Sequence, residues 1–285
     1  MLTRIAYQGI PGSFSYLAAR AFFGEEQNWR GTSYFREIFE LIRDKHVDSG
    51  IIPVENSLAG SVYENYDLLA RHDLTVTGEY YLKIEHHLLA LPQSGSIAIA
   101  DQIRDIRQVL SHPKALEQCG EFFRKHPWIE QIAYSDTARA AQFIAAEGNH
   151  QTAAIASRQA AELYGLQVLV TNLEDNQQNY TRFLIISKNA LEARATNKCS
   201  ITFTVSHNPG SLFKALEVLA KSNLNLTKLE SRPIIGKPFE YVFYVDFEFE
   251  SGTQASICPI LEEFQRHTIE LKVLGYYRSA LLAHK

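Results

Sequence analysis

Asn179-Tyr180-Thr181-Arg182-Phe183 sets a hydroxyl and a guanidinium side by side at the opening of a strand-like run. Such an arginine can hold a carboxylate in two-pronged fashion while the Thr181 hydroxyl addresses another group of the same molecule. Taken alone, an arginine such as Arg182 is more often half of a surface ion pair than a ligand. A second cluster, Glu55-Asn56-Ser57 with Ser61, follows the apolar run of residues 51–54 and brings more hydrogen-bonding side chains to a strand end than a turn requires. A third, Gly9-Ile10-Pro11-Gly12-Ser13-Phe14-Ser15, joins a strand to a helix, where unpaired amides attract anions. Ser13 is as well suited to capping that helix, and Gly9 and Gly12 lack the dinucleotide-binding spacing. Together these strand ends offer converging donors for an anionic ligand.

Other chemistries find little support. His86, His87, His112 and His207 show no metal-binding spacing, no GxSxG elbow is present, and Cys119 has no evident partner base. The three cysteines, Cys119, Cys199 and Cys258, lie far apart and suggest neither a disulfide framework nor a zinc site. A protein without metal or cofactor is expected. The 285 residues carry 28 Lys+Arg against 32 Asp+Glu, a formal charge of −4, which argues against a nucleic-acid partner. The longest central stretch without a charge, His86 to Ala100, is too short for a bilayer and is broken by Pro92 and Gly95. No signal peptide is visible, so a soluble cytoplasmic protein is expected.

Length favours two domains. Short β-branched runs (4–8, 49–54, 75–82, 87–91, 108–111, 131–134, 153–156, 167–170 and 182–187) alternate with amphipathic segments (14–23, 35–45, 62–71, 114–125, 137–147 and 158–164). That alternation predicts an α/β domain with a mostly parallel sheet. The polar stretch 191–197 reads as a linker. Beyond it, strands at 200–206, 224–229, 241–248 and 269–276 and helices at 211–221 and 254–266 spell βαββαβ, the ferredoxin-like arrangement, in which sheet edges and helix faces often pair between subunits.

Nine segments in order resemble the prephenate dehydratase family over nearly the whole chain: GIPGSFS (9–15), IPVENSLAGSV (52–62), HHLLALP (86–92), SHPKALEQC (111–119), DTARAAQ (136–142), AAIASRQAAELYGL (153–166), NYTRF (179–183) and, in the second unit, NPGSLFKALEVLA (208–220) and ESRP (230–233). That second unit is similar to ACT regulatory domains; their GALV stretch reads GSLF here, Gly210 to Phe213. With no chorismate mutase segment read ahead of these motifs, the monofunctional form is expected.

The resemblance implies a fold of two α/β subdomains around a cleft, like periplasmic binding proteins, plus the ACT domain. Its expected layout is a catalytic domain at 1–190 (subdomains about 1–85 with 176–190, and 86–175), a linker at 191–198 and an ACT domain at 199–285. The implied reaction converts prephenate to phenylpyruvate, carbon dioxide and water in phenylalanine biosynthesis. Thr181 would supply the essential hydroxyl, with Arg182 and Phe183 completing the catalytic site. Ser13, Glu55, Asn56, Ser57, Ser111, His112 and Thr137 would bind substrate. L-Phenylalanine would inhibit through the ACT domain at Asn208, Gly210, Ser211, Leu212, Leu226 and Glu230, in a homotetramer. Arogenate dehydratase, which performs the same elimination on the aminated substrate, is a close alternative; a non-catalytic ligand sensor on the same fold is a more distant one.

Overall fold

Alternating apolar and polar residues build the strands, and capping side chains start the helices between them. The computed structural model describes residues 2–93, 95, 97–189, 196–234, 236–252 and 257–280, without the side chains of 251 and 252. The chain divides into two units, Met1–Val62 with Tyr81–Phe183, and Tyr63–Tyr80 with Leu184–Lys285.

The first unit holds two sheets. One contains β1 (Arg4–Gln8), parallel to both β2 (Asn28–Thr32) and β3 (Ser49–Asn56), with the start of β11 (Tyr180–Ser187) beside β3 and the short β4 (Gly60–Ser61) turned back on it. Helices α1 (Phe14–Phe23) and α2 (Phe35–Arg43) pack on this sheet. The other sheet has the order β10-β6-β9-β7-β8, with β6 (His87–Ala90), β7 (Gln108–Ser111), β8 (Glu130–Ala133), β9 (Thr152–Ala156) and β10 (Gln167–Val170). Between its strands run α4 (Ile99–Asp105), α5 (Pro113–Gln118), α6 (Gly120–Lys125), α7 (Thr137–Glu147) and α8 (Arg158–Tyr164). The chain passes between the two sheets at residues 84–86 and returns at 171–179, which is the periplasmic-binding-protein-like plan.

Helix starts follow the caps written in the sequence. Ser13 accepts from Tyr16 N, Asp136 from Ala138 N and Arg139 N, and Ser157 from Ala160 N. Strand β2 and helix α4 had no visible signal. The first is the polar, mostly exposed segment NWRGT at a sheet edge, whose pairing rather than its own pattern makes it a strand. The helix expected over 114–125 divides at Cys119, which caps both α5 and α6.

In the second unit, β12 (Thr196–Thr204), β13 (Asn225–Pro233), β14 (Tyr241–Gly252) and β15 (Glu270–Tyr277) form an antiparallel sheet in the order β13-β14-β12-β15. With α9 (Ser211–Lys221) and α10 (Cys258–Gln265) this is the ferredoxin-like βαββαβ order. One sheet face packs Ile201, Phe203, Val245 and Phe247 against Ala215, Leu219, Leu261 and Phe264 of the helices.

The proposed linker at 191–198 is corrected at its end. Residues 191–195 lie outside the described residues, and Thr196–Lys198 already belong to β12, pairing with β14 and β15. The first three residues of the helix expected at 254–266 also lie outside the described residues. A further difference concerns α3 (Tyr63–Arg71) and the first part of β5 (Thr75–Lys83), expected in a catalytic subdomain but grouped with the C-terminal unit. The reason is polar: the sheet face opposite the helices is charged, and α3 satisfies it. Arg232 pairs with Asp67 at 3.2 Å, the Tyr244 hydroxyl donates to Tyr66 O, and Lys272 Nζ donates to the carbonyls of Leu69, Ala70 and His72. An ammonium on the last carbonyls of a helix satisfies acceptors that have no intrahelical partner.

Candidate active site

A cavity of about 320 Å³ lies in the first unit between its two sheets. The first sheet contributes Gln8, Ser13, Phe14, Ser15, Asn56, Thr181 and Phe183; the second contributes His112, Lys114, Gln118, Asp136 and Thr137. Six of the ten residues expected at the reaction site therefore meet here: Thr181, Phe183, Ser13, Asn56, His112 and Thr137.

The other four do not line it. Strand alternation places Thr181 and Phe183 on one face of β11, so Arg182, buried at 4% exposure, points to the other and cannot clamp a carboxylate in this cavity. Ser111 is fully buried and donates to Ile155 O at 2.6 Å, joining β7 to β9. Ser57 bonds the backbone of Gln178 and Tyr180, fastening the end of β3 to the start of β11. Glu55 lies in β3 opposite Ser61 of β4, outside the lining.

Asn56 organises the centre. Its Oδ1 accepts from the amides of Leu58 and Ala59, which fixes the turn. Its Nδ2 then donates to Asn179 Oδ1 at 2.8 Å and to Thr181 Oγ1 at 3.0 Å. A hydroxyl that accepts a bond keeps its own hydrogen for donation. Among the described residues Thr181 has no acceptor for that hydrogen, and the cavity lies in front of it. Asn179 Nδ2 continues the chain to Gln118 Oε1 at 3.0 Å, which also bonds His86 Nε2 at 3.0 Å. With its oxygen doubly engaged, Gln118 presents its amide hydrogens as donors at the cavity wall. Gln118, Asn179, His86, Asp136 and Lys114 were not singled out as site residues, although each lies in or beside a quoted motif. Bonds such as Asn56 to Thr181, 125 residues apart, leave no local signature.

The charge balance suits an anion. The first-turn amides of Phe14 and Ser15 at the start of α1 have no acceptor among the described residues, and both residues face the cavity. Lys114 adds a cation that also pairs with Glu117 Oε2 at 2.8 Å, and His112 Nδ1 accepts from Lys114 N at 3.2 Å, so its Nε2 carries the hydrogen. Burial lowers the His112 pKa, leaving a neutral donor, and burial raises that of Asp136. Phe14, Phe35, Pro53, Val62, Ile84 and Phe183 give the remaining wall an apolar surface. Gly9 has φ +103°, and a Cβ there would lie 2.8 Å from Ser13 Oγ and 3.0 Å from Asp136 Oδ2, so the two sides approach as closely as a glycine permits. No group of three or more His, Cys, Asp or Glu among the described residues could hold a metal ion.

His86 ties this network to folding stability. Burial lowers its pKa to about 4 from an ordinary 6.5, partly opposed by the Gln118 bond. The unfolded chain therefore binds a proton below about pH 6.5 that the native chain refuses until about pH 4. This contribution to stability is intact above pH 6.5 and is lost as pH falls through that window, by roughly 3 kcal/mol. Urea midpoints between pH 7 and 4 are expected to fall less steeply in His86→Gln; equal slopes would remove the assignment.

The model of the prephenate dehydratase family matches residues 5–191. The chain belongs to that family. It is accordingly an enzyme of prephenate dehydratase type. Over 96% of its length it is 40% identical to arogenate dehydratase 5, chloroplastic, of Arabidopsis thaliana, covering 67% of that protein. Over 98% it is 38% identical to the bifunctional chorismate mutase/prephenate dehydratase of Aquifex aeolicus, covering 74%. Among solved structures it is similar to GqqA, described as a novel type of quorum quenching acylase (31% identity, 97% of this chain and 98% of that one, TM-score 0.84). It also shares the fold of the prephenate dehydratase of Arthrobacter aurescens solved in complex with L-Phe (24% identity, 98% and 93%, TM-score 0.84). No helix among the described residues is long and apolar enough to cross a membrane.

The expected effector residues are less completely gathered than those of the cavity. Gly210 caps α9 with φ +82°, Ser211 Oγ bonds Ser206 Oγ at 2.9 Å, and Asn208 is exposed beside them. Leu212 and Leu226 pack on the helix side of the sheet. A register shift between Leu226 and Lys228 turns the rest of β13 over. Glu230 thus falls on the opposite face with Lys228, 3.6 Å away, and Arg232. Within one chain Glu230 does not face the start of α9.

Proposed function

We propose that this enzyme converts prephenate to phenylpyruvate, carbon dioxide and water, with Thr181 donating to the departing hydroxyl. The observation that carries this reading is the Asn56 Nδ2 bond into Thr181 Oγ1, which aims the threonine hydrogen into the cavity. A threonine alkoxide is unstable near neutral pH, so Thr181 acts as a fixed donor rather than as a free acid, and the departing hydroxide takes its proton from solvent to become water. The amides of Phe14 and Ser15, with Lys114, take the substrate carboxylate that had been expected on Arg182. Phe183, Phe14 and Ile84 keep the ring dry, and a poorly solvated carboxylate leaves more readily. Aromatisation supplies the driving force.

In this reading the ferredoxin-like unit is an ACT domain that binds L-phenylalanine between paired subunits of a cytoplasmic homotetramer. Pairing is needed because Glu230 and the start of α9 lie on different faces of one sheet. The A. aurescens complex with L-Phe supports the effector. The 40% identity to an arogenate dehydratase favours a second reading, in which the aminated substrate is preferred.

Ultraviolet detection of phenylpyruvate from prephenate, in parallel with phenylalanine formation from arogenate, tests both. Turnover of prephenate with the larger kcat/KM, suppressed by L-phenylalanine, is expected. A larger kcat/KM for arogenate selects the second reading, and no turnover of either removes both.

A further inference from the structure

Asp136 is the one acid among the described residues that line the cavity of the first unit. Against a substrate that itself carries two carboxylates, a wall acid is a liability and calls for a reason. Capping α7 accounts for only half of the side chain. Oδ1 accepts from the amides of Ala138 and Arg139 at 2.7 Å and 3.1 Å, a task that an uncharged serine or asparagine performs as well. Oδ2 has no hydrogen-bond partner among the described residues.

Gly9 shows where that free oxygen sits. A Cβ on Gly9 would lie 3.0 Å from Asp136 Oδ2 and 2.8 Å from Ser13 Oγ, so the two oxygens border the same gap, one methyl group in size. Ser13 immediately precedes Phe14 and Ser15, whose amides take the substrate's side-chain carboxylate in the reading above. The carbon next to that carboxylate bears the only group by which the two candidate substrates differ, a ketone in prephenate and an ammonium in arogenate. A carboxylate seated on those amides therefore carries this group toward Asp136. Around Asp136 stand His112 ahead of α5, Arg139 on α7, Tyr7 on β1 and Tyr164 on α8. Burial keeps His112 neutral and both tyrosines protonated, so none of these neighbours offers a negative charge to an ammonium. Burial also raises the pKa of Asp136, against the opposing amides of Arg139 and Ala138 and the Arg139 and His112 charges, which favours the neutral form that can donate.

We propose that Asp136 is the residue by which this site tells a ketone from an ammonium beside the substrate's side-chain carboxylate. Ionised, its Oδ2 accepts from the ammonium of arogenate; protonated, it donates to the ketone of prephenate. The inference rests on the dehydratase reading and on the seat which that reading gives the carboxylate.

Steady-state kinetics of the full chain on both substrates at neutral pH, with thermal melts to confirm folding, test it. Asp136→Asn keeps an oxygen to cap α7 and an N–H to meet a ketone, but no charge. It is expected to lower the ratio of kcat/KM for arogenate to that for prephenate at least about tenfold, the equivalent of one charge-assisted hydrogen bond. Asp136→Ser still caps the helix but reaches neither group, and is expected to fall about tenfold below the asparagine variant on prephenate. A residue that only capped the helix would lower both substrates alike, so an unchanged ratio in Asp136→Asn would overturn the inference. A wild-type enzyme confined to one of the two substrates would also overturn it, while leaving the dehydratase reading in place. No turnover of either substrate removes that reading and the inference together.

Discussion

Thr181→Ala is expected to lower kcat for prephenate about a hundredfold to a thousandfold, the usual cost of removing one preorganised donor, while KM changes little. The asymmetry follows from position. Thr181 is 9% exposed, and its Oγ1 already accepts from Asn56, so its hydrogen acts where charge develops on the leaving oxygen rather than in general substrate binding. Thr181→Ser keeps that hydrogen and is expected to retain much of the activity. Rotation of the smaller side chain is limited because Asn56 remains to hold the oxygen. Steady-state kinetics on the two variants decide the matter: an alanine variant turning over at near wild-type rate, or a serine variant as poor as alanine, would end the assigned role.

The largest expected effect on stability lies in the second unit. Lys198 Nζ meets Glu79 Oε1 at 3.0 Å and Oε2 at 3.1 Å, with both side chains at 2% exposure or less. Glu79 Oε1 also accepts from Ala280 N. Lys198→Met leaves the Glu79 carboxylate buried without its cation and is expected to cost about 3–5 kcal/mol. The double variant Lys198→Met with Glu79→Leu removes both charges and is expected to recover most of that loss, because desolvation consumes much of what a buried pair gains. Urea unfolding of wild type, both single variants and the double variant gives the cycle. A single-variant loss below about 1 kcal/mol, the scale of an exposed pair, would refute the burial argument.

These two sites differ in how much of them could be read in advance. The NYTRF run made Thr181 legible and the family resemblance added Phe183, while the structure's strand alternation turns Arg182 between them away from the cavity. Chemical aptness made Arg182 attractive as a clamp, but geometry overruled it. Ser13 and Asn56 were legible because each sits at a strand end or helix start, whereas His112 and Thr137 came only with the family resemblance. Ser111 carried the same local signal and was spent on Ile155 O inside the sheet. Gln118, the last residue of α5, carried no local signal at all.

Neighbours along the chain act through backbone preference and hydrophobic period. They therefore sufficed for most strands and helices (though not for β2 or α4), for the cap at Ser13, and for the ferredoxin-like pattern after residue 200. Groups far apart in sequence meet only through packing. That is why the tertiary structure alone joined Asn56 to Thr181, turned Glu230 away from Leu226 at a bulge, and assigned α3 to the C-terminal unit. The last of these follows from desolvation. Lys198, Arg232 and Lys272 sit on a sheet face that cannot be covered unless their charges and donors are met, and Glu79, Asp67 and the α3 carbonyls meet them.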